Sequence, residues 1–150
     1  MRYHHSQSGH LHQLIYLTAA ALVVAGWFCR EEMVASLCLT LTGIAILPLA
    51  WAFATLTVED SGDDLLIRYG PLPLFRKRIA FREIRSVEPD RTKWIDGWGI
   101  HWVPGRGTTY NLWGFDCAKL SVGNRTIRIG TDDVDNLVSA IRTKAHLAQD

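Results

Sequence analysis

Charge is nearly absent from the first third of this 150-residue chain. Between Gln13 and Leu56 the only ionised side chains are Arg30, Glu31 and Glu32, which sit together. Cysteine is scarce as well: Cys29, Cys38 and Cys117 are too scattered for a disulfide framework or a metal cluster, and all three are expected to be reduced. A net charge of +1 gives no reason to expect a nucleic-acid partner. Catalytic patterning is missing too. His101 is the lone mid-domain histidine, and no G-x-S-x-G elbow accompanies it. No enzyme and no cofactor is expected. The length leaves room for one domain, or for a membrane anchor plus a small domain.

What the first third does hold is apolar. QLIYLTAAALVVAGWFC, Gln13 to Cys29, runs for seventeen residues, and MVASLCLTLTGIAILPLAWAFATL, Met33 to Leu56, for twenty-four. A helix needs about 20 apolar residues to cross a bilayer core, with a lower limit near 17. A cleaved signal peptide is the alternative for the first run, but bulky Trp27 and Phe28 follow the small Ala25 and Gly26. With only Arg30–Glu32 between the runs, residues 13–56 are expected to form a two-helix transmembrane hairpin. Such a hairpin places both termini on one side. Arg2, Arg68 and Arg76 lie on that side against Arg30 in the loop, which favours cytoplasmic N and C termini. Trp27 and Trp51 fall where an aromatic belt would lie, and Pro48 is expected to kink the second helix. Neither span contains a charge of the kind that marks an ion or proton path, so the hairpin reads as an anchor.

Residues 1–12, MRYHHSQSGHLH, carry His4, His5, His10 and His12. His-rich tracts sometimes hold metals, but this one has no carboxylate and no periodicity, so a flexible tail without metal is expected.

After Leu56 the pattern turns to strands. Leu56 and Val58 alternate with polar neighbours, Ser61–Asp64 makes a polar turn, and Leu65, Ile67 and Tyr69 alternate again. GPLPL breaks that strand, KRIAF and REIRSVE follow, and Pro89 interrupts as at an edge or bulge. Trp98, Ile100 and Trp102 share a face, further strands span 109–113, 116–122 and 126–130, and Gly123-Asn124 is a two-residue hairpin signal. Thr131, Asp132 and Asp133 then precede an apolar stripe of Val134, Leu137, Val138, Ile141 and Ala145 at helical spacing. Seven or so antiparallel strands closed by one helix are therefore expected over residues 57–147.

The phrases LTVEDSGDDLLIRYGPL, RIAFREIRSVE, WGIHWVPG, TTYNLWGFDCAKLSV and RTIRIGTDDVDNLVSAI, in that order behind a hairpin, carry a resemblance. The chain resembles bacterial membrane proteins with a pleckstrin-homology (PH)-like domain behind a transmembrane hairpin, over roughly residues 14–143. That resemblance implies an α+β head, a seven-stranded two-sheet barrel capped by a C-terminal helix, without catalysis, at the bacterial plasma membrane.

Three stretches invite chemistry. Asp132, Asp133 and Asp135 suggest a divalent cation, but acids at a helix start are favoured by its dipole, so capping is expected and no metal. DGWGIHWVPGRGTTYNLWG, residues 96–114, does not join one strand to one helix, as a phosphate-binding glycine loop must. Val103–Gly107 instead reads as a hairpin turn, with tryptophans filling the core or a membrane-facing surface. RKRIAFREIRSVEPDRTK, residues 76–93, packs Arg76, Lys77, Arg78, Arg82, Arg85, Arg91 and Lys93 against three acids, a local charge of +4. Arg76, Lys77, Arg78, Arg82 and Arg85 are the candidate binding residues; a merely solvated outer face is the other reading. Two functions follow. The leading one is a membrane-anchored interaction or scaffold module, recognising a protein partner or a second copy. The alternative is sensing of anionic lipid headgroups through the basic segment.

Overall fold

A computed structural model of the protein describes residues Arg2–Leu147. Strand β1 (His4–Ser8) leads into helix α1 (Leu11–Phe28), which turns through residues 29–32 into α2 (Met33–Ala45) and α3 (Leu47–Ala52). The head follows as β2 (Thr55–Asp60), β3 (Asp64–Gly70), β4 (Arg76–Ala80), β5 (Ile84–Arg91), β6 (Gly99–Val103), β7 (Gly107–Asn111), β8 (Asp116–Val122), β9 (Arg125–Gly130) and α4 (Val134–Lys144). The chain is thus an α+β protein with helices first, two sheets next and one helix last.

The hairpin packs through small residues. Ala19 and Gly26 of α1 and Gly43 of α2 are the buried positions. A Cβ on Gly43 would lie 2.9 Å from the Ala19 carbonyl oxygen, and one on Gly26 would collide with the Thr40 hydroxyl. Close backbone approach of this kind joins helices when large side chains are needed outside. Pro48 has no N–H to give, and the second helix accordingly breaks at Ile46, whose carbonyl accepts from Leu49 and Ala50. Leu11–Phe28 and Met33–Ala52 are both long and apolar enough to cross a membrane. The second helix ends earlier than its apolar run: Leu56, expected inside the span, is in β2 and buried in the head, because it alternates with Val58.

The segment expected to be a flexible tail is a strand. β1 pairs antiparallel with β2, from His4 opposite Glu59 to Ser8 opposite Thr55. Its sequence has no apolar alternation, so the signal is absent; ladder bonds and polar side chains hold it instead. Ser6 Oγ meets Thr57 Oγ1 at 2.9 Å, and Gln7 Nε2 donates to the Gly130 carbonyl at 2.9 Å.

One sheet has the order β1-β2-β3-β4 and the other β5-β8-β9-β7-β6. Among the described residues the head has eight strands rather than seven or so, β1 adds another from outside it, and one pair, β7 with β9, is parallel. The expectation of a wholly antiparallel head fails there because β9 inserts between β8 and β7. Gly107, at φ +91°, makes room for this: a Cβ would strike the Thr126 carbonyl oxygen. The two sheets face each other over Leu56, Ile67, Leu120 and Ile129, all 1% exposed or less. Tyr69 ties them together, its hydroxyl donating to the carbonyls of Gly99 at 3.0 Å and Asn111 at 3.1 Å. Helix α4 lays Leu137, Val138 and Ile141 over β5 and β8, as its stripe requires.

Candidate functional site

Strand β4 is a free edge. Tyr69 N–H donates to Phe75 and Phe81 N–H to Asp63, so Phe75, Lys77, Ile79 and Phe81 face β3 with their backbone groups. Antiparallel alternation then turns the N–H and C=O groups of Arg76, Arg78 and Ala80 outward. Opposite this edge lies the β8–β9 turn. Between them is an open concavity of about 470 Å³, lined by Lys77, Arg78, Arg82, Glu83, Arg85 and Arg125 among others.

Four of the five expected residues therefore converge. Lys77 and Arg78 come from β4, Arg82 from the single 3-10 turn that follows it, and Arg85 from the start of β5. Arg125, which the sequence reading missed, joins them from the Gly123-Asn124 hairpin turn. Its signal was the turn itself, but nothing in the local sequence says which strand that turn faces. All five side chains are exposed, and among the described residues none is ion-paired. Among the described residues Glu83 is the one acid in the lining. Elsewhere in the basic segment the charges are spent internally: Arg91 pairs with Asp116 at 3.1 Å, and Lys119 with Glu88 at 2.7 Å.

Arg76 stands apart. It sits beside Leu74 and Phe75 in a smaller depression shared with Ile100 and Tyr110. Phe75 packs on Phe53, just past α3, with ring centroids 5.2 Å apart. β4 thus starts at the base of the hairpin and runs away from it. At about 3.3 Å per residue, the five steps from Phe75 to Ala80 span about 16 Å. A strand of that length exceeds the Debye length of about 8–10 Å at ordinary ionic strength.

A second charged cluster went unnoticed in the sequence, because its members are spread from position 90 to position 128. The buried Asp96 carboxylate accepts Arg106 Nε at 2.7 Å, Arg106 Nη2 at 2.5 Å and the Lys93 N–H at 2.6 Å. Arg128, also buried, donates to Asp90 at 3.0 Å and to the Arg106 carbonyl. The Arg106 hydrogen bonds hold the Asp96 carboxyl below the usual range against the cost of burial. Burial pushes Asp90 up, but the Arg91 N–H and Arg128 outweigh it, so it too is lowered. Beside them the Cys117 thiol is pushed up to about 12, by burial first and by Asp90 next. The cluster pins the 94–96 turn and the β6–β7 hairpin to the sheet.

The remaining sequence features find plain roles. Residues 104–106 are the expected turn, with Arg106 N–H returning to Val103. Trp102 is 70% exposed and Ile100 38%, so these two lie outside the core. Asp133 occupies the N-cap of α4 without a side-chain capping bond. Asp132 and Asp133 instead clamp β1: His5 Nε2 lies 2.5 Å from Asp132, and the Tyr3 hydroxyl donates to Asp133 at 3.3 Å. Among the described residues no three His, Cys, Asp or Glu side chains group as metal ligands do. No protein-family model matches this chain, and no curated protein matches it.

Proposed function

We propose that the protein is a non-catalytic, two-pass membrane protein whose PH-like head is an interaction module for an acidic partner at the cytoplasmic face. The observation that carries this reading is the convergence of Lys77, Arg78, Arg82, Arg85 and Arg125 on one open concavity with a single acid among them. Five cations gathered at a strand edge without ion-pair partners among the described residues favour an anionic surface, and each exposed contact contributes about 0.2–1 kcal/mol. The PH-like part of the proposal rests on the resemblance, on the two facing sheets and on the closing helix. The extra edge strand β1 and the parallel β7–β9 pair are departures from that pattern. The pairing of β1 with β2 supports same-sided termini, and the arginine distribution favours the cytoplasmic side. The bacterial plasma membrane follows from the resemblance alone.

The test uses the full chain in detergent micelles with poly-glutamate as the acidic probe, across a salt series. Binding should weaken with salt and fall about tenfold or more in Arg78→Glu/Arg125→Glu. Binding that ignores this charge reversal would sink the reading.

One observation favours the alternative, lipid headgroups: Arg76 lies beside Leu74 and Phe75 at the hairpin base. Arg82, beyond the far end of β4, is separated from that base by the length of the strand, which limits what the chain's own bilayer offers it. If anionic vesicles competed away the poly-glutamate probe and zwitterionic ones did not, the lipid reading would take first place.

A further inference from the structure

A line of rings runs from the start of α1 along the head. Gly9 has no room for a side chain, since a Cβ there would sit 2.7 Å from the Cβ of Trp113. His10, at the N-cap of α1, meets the Trp113 ring edge-on at 5.3 Å. Trp113 stacks on Trp98 with centroids 4.5 Å apart, and Trp98 meets Trp94 at 5.6 Å. The line ends on a tip that is almost bare: Trp94 is 78% exposed and Ile95 66%.

That tip is held out by design of the turn beneath it. Asp96 N–H closes the turn onto the Lys93 carbonyl at 2.9 Å, while the Asp96 side chain is locked by Arg106. A rigid turn with two large apolar side chains in water is costly unless something covers them. The covering surface is indicated by continuity, because the rings begin at the first residues of a helix apolar enough to cross a membrane. Tryptophan, with an apolar ring and one N–H, favours the level where hydrocarbon meets headgroups.

We infer that Trp94 and Ile95 are a second, apolar membrane contact, inserted into the interface of the same bilayer that the hairpin spans. This inference rests on the membrane-anchored reading above. Docking through this tip fixes the tilt of the head with two attachments, the hairpin and the turn. The anionic charge of the lipid plays no part in it, which separates this contact from the basic concavity.

The test reconstitutes the full chain, with Trp27→Phe and Trp51→Phe to silence the hairpin, in zwitterionic phosphatidylcholine vesicles carrying brominated acyl chains. Head tryptophan fluorescence should be quenched more by bromines near the headgroups than by bromines at the chain ends. Ile95→Asp keeps every reporter ring and should cut that shallow quenching about twofold, by placing a charge on the tip. Asp96→Asn, which loosens the turn, should act in the same direction. Alkaline carbonate extraction runs alongside. If the chain stays in the membrane but its head tryptophans are unquenched, this inference fails and the anchor stands. Release of the chain by carbonate overturns both. Shielding of the rings from acrylamide that grows with protein concentration in lipid-free micelles would assign the tip to a second copy and overturn the lipid contact.

Discussion

The hairpin and the head are packed inside out relative to each other. In the head, large aliphatic side chains such as Leu120 and Ile129 are wholly buried, and charges that go inside with them, such as Asp96 and Arg128, are ion-paired. In the hairpin the buried positions are the small residues Ala19, Gly26, Gly43, Ala50 and Ala52, while Leu17, Leu41 and Phe28 stand 67%, 61% and 81% exposed. A side chain's direction reports the solvent it expects, and the two halves expect different ones. The comparison also separates two ways of holding structure together, aliphatic burial in one half and backbone proximity in the other.

The largest effect should come from the head's core. Leu120→Ala is expected to cost about 3–4 kcal/mol, seen as a lower denaturation midpoint in micelles with the helical far-ultraviolet signal of the hairpin retained. Equal loss of both signals would show that the halves unfold as one unit.

Arg106→Met comes next, at about 3 kcal/mol, because it strands the Asp96 carboxylate; the Arg106 side chain is 25% exposed, which keeps the loss at the low end for a buried pair. The same pair sets an acid limit. Asp90 and Asp96 titrate below their ordinary value in the folded head, so their stabilisation is present above about pH 4 and is lost as pH falls through the folded pKa. Denaturant midpoints of the head should therefore drop below about pH 4, and Asp96→Asn should flatten part of that slope. At the alkaline end the sign reverses. Cys117 is raised from 9.0 to about 12, so the stability it contributes is full below pH 9.0 and fades as pH climbs toward 12.

Gly43→Leu probes the other half. It forces a side chain against the Ala19 carbonyl and should cost the hairpin about 1–3 kcal/mol. Amide exchange would quicken in α1 and α2, while the head's midpoint moves by no more than about 0.5 kcal/mol. Smallest of all is Arg78→Glu at the exposed edge, expected within about 0.5 kcal/mol of the parent in the same melts.

Much of this arrangement could be read from residue order. Apolar runs of sufficient length gave the two helices, Pro48 the break, Gly123-Asn124 its hairpin, and the stripe from Val134 to Ile141 the closing helix. What escaped was whatever depends on who sits opposite whom. β1 has no apolar alternation, so its pairing with β2 leaves no mark in HHSQS. Arg125 joins the basic concavity from 40 positions beyond Arg85, and Asp96 finds Arg106 only because the β6–β7 hairpin folds back.

The pairing of β1 with β2 has a consequence for how the molecule is made. Ser8 and Thr55 face each other across the strand ladder, yet every residue of both membrane-length helices is synthesised between them. A first strand that emerges early must wait for its partner, and the two are brought within reach when the helices stand side by side. The edge of the sheet is thereby completed by the hairpin's own assembly. Slow amide exchange at residues 4–8 would act as a built-in record that both helices had taken their places.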